Sequence, residues 1–446
     1  MAAIETLKAA ALAAIDGRRR WLIDVAETIL RHPEPGFREL KTSRLVAERL
    51  SELGVEHETG IAMTGIKGRI GGGRPGPTVA IIGEMDCLRV PGHPYANAET
   101  AAAHACGHHC QPASMLGTAV GLLAPEVEAE LAGGVALMAL PAEEFIDVEQ
   151  RWRLREEGKL GLLSGKQEFI RLGAFDDVDM AMMVHTSASS ADGKFSIGGT
   201  SNGHLVKYVN FIGRAAHAGS LPHRGVNALQ AAMIALNALN AQRETLKNED
   251  VVRLHGIITS GGDAANSVPA DVRYEGRVRG RTPEAVEDGS EKMDRCLRAG
   301  ALALGAKVRI VTIPGYLPIR HDRTMSSLFE ANAERLVGKG GIVRHPWDRV
   351  RGGSTDMGDL SQIMPVIHPY SGGATGMGHA ANYVVADYDQ AVILPAKVMA
   401  MTAIDLLAAG AAGAADVLAK SEPAMTTEQY LRHQTGRFND ELYESV

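Results

Sequence analysis

Apolar positions set the first elements of the chain. Leu7, Ala10, Ala11, Ala14, Ile15, Leu22, Val25 and Ile29 recur at helical spacing and predict one long helix over residues 4–30. His32-Pro33-Glu34-Pro35-Gly36 breaks that pattern, and a second helical run extends from Glu39 to Leu53, where Gly54 stops it. Gly65 to Ile70 and Thr78 to Gly83 then read as strands around a Gly/Pro-rich turn. The second of these is nearly continuously β-branched, the composition of a strand buried on both faces. Pro112 to Leu123 predicts a helix of small residues, while Val135 to Leu140 and Asp179 to Val184 predict two more buried strands. Asp86, Glu143 with Glu144, and His185 each follow the end of one of these three strands. Open α/β sheets hold their ligands at that rim.

The rhythm changes over residues 203–315. Leu205 to Ile212 alternates as a strand, Asn227 to Leu246 is an alanine-rich helix, and Val252 to Thr259 and Val272 to Val278 are strands. Pro283 to Leu304 is a second helix and Lys307 to Ile313 a last strand. That order is the split βαβ (ferredoxin-like) arrangement, four strands under two helices, which can fold as a unit. The expected fold is therefore α/β: a mixed, mainly parallel sheet flanked by helices, built from residues 1–202 and 316–446, with an inserted α+β domain over 203–315. Residues 409–446 are expected to close the chain with a helix and a polar, mobile tail.

Length agrees with two bodies, since 446 residues exceed one ordinary core. A net charge of -7 argues against a nucleic-acid partner, which needs clustered Lys and Arg. The one basic cluster, Arg18-Arg19-Arg20, falls on a helical stretch and reads as a solvated face. Cys87, Cys106, Cys110 and Cys296 are too few to staple the chain and suit a reducing compartment. No apolar run reads as long as the ~20 residues of a membrane span, and the N-terminus lacks a signal-peptide core. A cytoplasmic protein without membrane or nucleic-acid partners is expected.

His104-Ala105-Cys106-Gly107-His108-His109 is the densest set of ligand types in the chain. A thiolate at 106 and an imidazole at 108 are donors that zinc and its divalent neighbours take. With Glu144, His185 and His379 beside them, these donors outweigh the plainer alternative of a glycine turn carrying a buried thiol and two polar histidines. A catalytic metal needs a few firm protein donors and an open position, and a thiolate can bridge two metals. Glu143 and Glu144 follow a buried strand and point in different directions, so Glu144 is assigned to metal and Glu143 to the roles of general base and then acid. Asp86 reads as the carboxylate that fixes the tautomer of His108, with strand-end capping as its plainer role. His217, Asn266 and Arg279 lie in the inserted domain and are anonymous by position alone.

Two motif matches fail. Gly71, Gly73 and Gly76 have dinucleotide-binding spacing, but Pro75, Pro77 and a strand follow where a helix is required. Gly199-Thr200-Ser201-Asn202-Gly203 fits a nucleophile elbow, yet it too precedes a strand.

With these residues in view, the chain resembles the metal-dependent amidohydrolases of the aminoacylase and hippurate hydrolase group, which includes the indole-acetyl-amino-acid and aminobenzoyl-glutamate hydrolases. The likeness rests on His32-Pro33-Glu34-Pro35-Gly36-Phe37, the Asp86 segment, His104-Ala105-Cys106-Gly107-His108, Pro141-Ala142-Glu143-Glu144 and His185. It continues through Ala216-His217-Ala218, Gly225-Val226-Asn227-Ala228, Asn266-Ser267-Val268-Pro269, Val278-Arg279 and His379. The resemblance implies a binuclear centre held by Cys106, His108, Glu144, His185 and His379, with Glu143 as base. It also implies that the inserted domain is a lid that dimerises, so that His217 reaches the partner subunit's site and polarises the scissile carbonyl, while Asn266 and Arg279 hold the substrate's polar end.

Departures from the group are specific. Position 109 is His where relatives carry Asp or Asn, which makes His109 a candidate substrate contact. Glu84 stands where di-zinc aminopeptidase cousins place a ligand histidine, so their ligand set does not transfer. The segment from Val148 to Lys166 is longer than the group's usual loop, and no role follows from the likeness.

Together these residues predict a homodimeric hydrolase that uses two divalent metals, manganese or zinc with nickel or cobalt also suitable, to cleave a carbon–nitrogen bond. The expected substrate is an N-acyl or N-aroyl amino acid or a small dipeptide-like amide, attacked by metal-activated hydroxide. The alternative is hydrolytic deamination, with ammonia leaving an activated aromatic amine such as a nitroanthranilate. A non-catalytic binding protein on the same fold is the contrasting class, and the complete donor set speaks against it.

Overall fold

The computed structural model describes residues 2–71 and 74–444. Gly73, the middle glycine of the dinucleotide-like spacing, lies outside the described residues. The larger sheet has six strands in the order Glu56–Ile61, Gly65–Gly71, Gly134–Leu140, Thr78–Glu84, Met180–Met182, Val366–Ile367. The first three pair antiparallel and the last four parallel. Alternate residues of the central strands serve two cores. Val79 and Ile81 pack with Ala11, Ile15 and Leu116, whereas Ala80 and Ile82 pack with Phe145, Phe169 and Val206. Coverage on both faces is why Thr78–Glu84 reads as an unbroken apolar run.

The single N-terminal helix expected from periodicity is two, Ala2–Gly17 and Arg19–Arg31. Gly17, a poor helix former, marks the break, and Ile15 and Leu22 on either side of it reach the same core.

A second sheet is antiparallel, with five strands in the order Arg253–Ser260, Asp271–Gly280, Gly203–Ile212, Lys307–Pro314, Asn439–Glu444. Its first four strands and the helices Ala228–Gln242 and Pro283–Leu304 give the split βαβ order read from the sequence, and both helices pack into the core of this sheet. The chain enters and leaves this unit at adjacent points, where Ile319 N donates to Ser201 Oγ at 3.2 Å and Thr200 Oγ1 donates to the Ile319 carbonyl at 2.8 Å.

The fifth strand corrects the expectation of a mobile tail. Thr427–Gly436 is a helix with a capping box between Thr426 and Gln429, and Asn439–Glu444 pairs with Lys307–Pro314. Lys307 meets Glu444 at 2.7 Å and Arg309 meets Asp440 at 2.6 Å across that pairing. A carboxylate-rich strand becomes legible only beside the basic strand that opposes it.

The segment between Glu144 and His185 contains the helices Val148–Glu156 and Gly165–Arg171. The first sits between the bodies: Glu149 accepts from Arg273 of the second sheet at 2.8 Å, and Trp152 lies against Phe438. One helix among the described residues, Asp389–Lys420, is long and apolar enough to cross a bilayer, contrary to the sequence reading. Its apolar window is 83% buried, and Ala408, Ala409, Gly410 and Ala411 break it with non-helical backbone. It packs as a core helix with Ala11, Leu116 and Phe329.

Candidate metal centre

Three neighbouring parallel strands end at one rim, and the turns that follow carry the polar residues. Thr78–Glu84 delivers Glu84 and Asp86, and Gly134–Leu140 delivers Glu143 and Glu144. His185 comes just after Met180–Met182. Cys106 and His108 flank Gly107, whose φ of +90° lies in the left-handed region and whose missing Cβ would fall 2.5 Å from the Tyr383 hydroxyl. Only glycine fits there. The turn bearing the two glutamates is tied on every side. Ala142 N donates to Glu39 Oε1 at 2.9 Å, Glu144 N donates to Asp86 Oδ2 at 2.8 Å, and the Tyr316 hydroxyl donates to the Glu143 carbonyl.

Two three-donor clusters result, Cys106–His108–His185 and Cys106–Glu144–His379, with the ligand atoms of each within 4.8 Å of one another. They share Cys106. Within them Cys106 Sγ is 3.5 Å from His185 Nε2, and Glu144 Oε1 is 3.5 Å from His379 Nε2. The imidazoles are turned for coordination. His108 Nδ1 donates toward the Asp86 carbonyl and carboxylate at 3.1 and 3.2 Å, and His185 Nδ1 donates to the Thr186 carbonyl at 2.8 Å, which leaves each Nε2 lone pair facing inward. His108 Nε2 is buried 3.2 Å from Glu84 Oε2 and Glu144 Oε1 3.5 Å from His379 Nε2, and neither atom makes a well-directed hydrogen bond among the described residues. Buried polar atoms so poorly satisfied are costly, and divalent metal is the partner this donor set fits.

Electrostatics follow from burial. Burial, then the charges of Glu84 and Glu144, push the Glu143 carboxyl well above the ordinary range. Burial opposes ionisation of Glu144 too, but His379 and His108 outweigh it and its pKa falls. Burial and the Glu144 charge push the Cys106 thiol up, so a bound cation is what would make it a thiolate. Burial and neighbouring His108 bring His185 down to about 4.

Glu84, noted in the sequence only as a departure from the aminopeptidase ligand set, belongs to the site, and so do residues the sequence did not single out. Glu84, His108 and Glu143 form a third buried cluster with ligand atoms within 4.8 Å of one another. Glu84 is held by Lys166, whose fully buried ammonium bridges Glu84 and Asp356. Burial disfavours the charge on Glu84, yet Lys166 and His108 bring its pKa down. Arg277 donates to the Phe145 carbonyl and lies on the same face of its strand as Arg279. Arg279 donates to Ser354 Oγ at 2.9 Å; burial and the Arg277 charge lower it to about 10, against the pull of Glu143 and Glu144. Strand alternation from Arg279 is the signal that would have found Arg277. Lys166 and Glu84 gave no such signal, because 82 residues separate them.

Not every candidate joins the centre. His217 and Asn266 are exposed on adjoining loops linked by the Ala218 N to Asn266 carbonyl bond of 2.9 Å, and neither belongs to the clusters of this chain. His217 Nδ1 accepts the amides of Gly219 and Ser220 at 3.2 and 3.1 Å, which leaves the ring proton on an outward Nε2. His109 is buried in a separate cavity of about 280 Å³ with His93, His104, Tyr383 and Tyr388.

Residues 198–303 match the M20_dimer family model, described as a peptidase dimerisation domain. The chain is 31% identical over 341 residues to Xaa-Arg dipeptidase from Mus musculus, covering 74% of this chain and 70% of that one. It is 26% identical over 330 residues to N-acetylcysteine deacetylase from Bacillus subtilis, covering 71% and 80%. A solved dinuclear metal-binding peptidase from Bacillus subtilis has the same fold, with a TM-score of 0.64 at 22% identity over 88% of this chain and 99% of that one.

Proposed function

Because the chain belongs to the M20 family of metal-dependent peptidases and amidohydrolases, we propose that it hydrolyses the amide of an N-acyl or N-aroyl amino acid or of a small dipeptide, as a homodimer with two divalent metals per subunit. The observation that carries this is the sharing of Cys106 between two clusters of complementary donors, His108 with His185 and Glu144 with His379. Cys106 would be the donor common to both metals when they are bound. Divalent metals held by these five side chains supply the Lewis acidity that polarises a carbonyl and acidifies water. Manganese and zinc suit the set, as do nickel and cobalt.

Glu143 does the proton work. Its carboxyl is buried beside those of Glu84 and Glu144 and belongs to neither cluster that shares Cys106, a place from which one group can take a proton from the attacking water and return it to the leaving amine nitrogen. Asp86 fixes the ring of His108. Arg279 holds the substrate's carboxylate, with Arg277 beside it on the same strand face. His217, with its proton on an exposed Nε2, donates to the oxyanion that develops in the partner subunit's site, and Asn266 on the adjoining loop binds the substrate there. His109 faces the cavity behind the ligand turn, so its part is to pack that turn and not to touch substrate.

The test is turnover by metal-reconstituted protein on a panel of N-acyl amino acids, N-aroyl amino acids, dipeptides and activated arylamines, with both products detected by mass. Carboxylate plus amine is expected. Ammonia released from an arylamine, with every amide left intact, would replace this reading with the deaminase one.

A further inference from the structure

Glu143 and Glu144 sit on a turn from which one side chain collects three backbone carbonyls, those of Ala142, Glu144 and Ile146. Arg151 is 2% exposed and lies on the helix Val148–Glu156, within the segment to which the family likeness gives no role. Its Nη1 donates to the carbonyls of Ala142 at 3.1 Å and Leu163 at 2.6 Å, its Nε to that of Ile146 at 2.8 Å, and its Nη2 to that of Glu144. Phe37 and Phe145 cover the guanidinium with ring centroids 5.2 and 4.9 Å away. The clamped backbone is itself unusual. Ala142 has φ of +57° and Asp147 φ of +54°, conformations that L-residues hold only where the surroundings enforce them. No carboxylate pairs with Arg151 in these contacts; a buried guanidinium spends its donors on four carbonyls, three from the turn before the helix and one, Leu163, from the chain after it.

We propose that Arg151 is a positioning residue for Glu143: it locks the Ala142–Ile146 backbone so that Glu143 and Glu144 face the centre in their separate directions. The helix Val148–Glu156 thereby becomes part of the catalytic apparatus. A planar fork with five N–H groups is needed for this, and a lysine ammonium, a point charge on a flexible stem, does not reproduce it. Small displacements of a catalytic group cost rate disproportionately. The inference rests on the base and ligand roles proposed above for Glu143 and Glu144.

The experiment compares wild type with Arg151→Ala and Arg151→Lys, both metal-reconstituted, on whichever substrate wild type hydrolyses. Arg151→Ala is expected to retain wild-type metal content while kcat falls about 30- to 100-fold with KM within about threefold. Added guanidinium ion, below denaturing concentration, is expected to restore kcat several-fold in Arg151→Ala and to leave Arg151→Lys and Glu143→Gln unrescued. The cobalt-substituted absorption spectrum, read without substrate, is expected to shift in both Arg151 variants because the Glu144 carbonyl is released. Turnover in Arg151→Ala within about threefold of wild type overturns the proposal. So does a rate loss that guanidinium cannot reverse and that leaves the cobalt spectrum unchanged. Should Arg151→Ala fail to fold, Arg151→Lys decides by the same kcat and spectral criteria. A wild type that loads metal yet hydrolyses no C–N bond defeats the functional reading alone, and the cobalt spectra then decide Arg151.

Discussion

Asp86 holds His108 and Glu144 with different oxygens of one carboxylate: Oδ1 lies 3.2 Å from His108 Nδ1, and Oδ2 accepts the Glu144 amide at 2.8 Å. One side chain thus orients a donor in each of the two clusters that share Cys106. Asp86→Ala is expected to weaken metal binding about 10- to 100-fold, measured by titration in metal buffers. Wild-type affinity in a folded Asp86→Ala protein would leave Asp86 with strand-end capping alone.

Removing the carboxylate proposed as the base separates chemistry from binding. Glu143→Gln is expected to lower kcat by at least about 10²- to 10⁴-fold with metal content near wild type, measured by elemental analysis. His217→Ala is likewise expected to keep its metal and lose turnover. Mixed dimers of the two variants regain one intact site if His217 serves the partner subunit. Verified mixed dimers without any recovered activity would place His217 outside the chemistry.

Lys166 is fully buried and bridges Glu84 and Asp356. Lys166→Met leaves two carboxylates facing each other without a cation, a change expected to destabilise the fold by about 3–5 kcal/mol. Chemical denaturation with the metal content fixed measures it. Lys166→Met combined with Glu84→Gln and Asp356→Asn is expected to recover part of that loss, because the neutral triple variant buries no unpaired charge.

The helix Thr427–Gly436 is tied to the body through Asp359, whose Oδ1 accepts from the Tyr430 hydroxyl at 2.8 Å and from the Nε2 atoms of Gln434 and Gln167 at 2.7 and 3.2 Å. Oδ2 is buried without a partner among the described residues. Burial raises this carboxyl to about 7 from the usual 3.8. A proton is therefore kept in the folded chain that the unfolded chain releases. The linked stability is complete below pH 3.8, declines as pH rises and is gone above pH 7. Asp359→Asn keeps the accepting oxygen without the charge. It is expected to flatten the fall in Tm as pH rises from about 4 to about 7, between the unfolded and folded values of this carboxyl. Parallel Tm curves for the two proteins would contradict the assignment.

Where the chain speaks in local terms, its sequence was sufficient. Buried strands announced themselves by unbroken apolar runs, the ligand turn by Cys106 and His108 around Gly107, and the inserted unit by a change in periodicity. The donors Glu144 and His185 were found because each ends such a strand. Arg277, Lys166 and Arg151 were not, and nor was the buried pairing of Glu84 with Lys166, since a buried ion or a backbone clamp leaves no mark on its own neighbours in sequence. Asn439–Glu444 was lost for the same reason: its carboxylates look solvated until the basic strand beside it is known.

Residue types and their order along the chain thus determined the fold class and pointed to Cys106, His108 and the strand ends as the place for metal chemistry, while the likeness to known hydrolases supplied the five-donor set and the base proposed above. Only the tertiary structure decided that Cys106 is common to two clusters, that His109 turns away into its own cavity, and that the helix Val148–Glu156 returns Arg151 to the turn carrying Glu143 and Glu144. Periodicity and spacing encode what a segment does with its nearest neighbours, while coordination and clamping depend on distances between segments that the chain brings together only on folding.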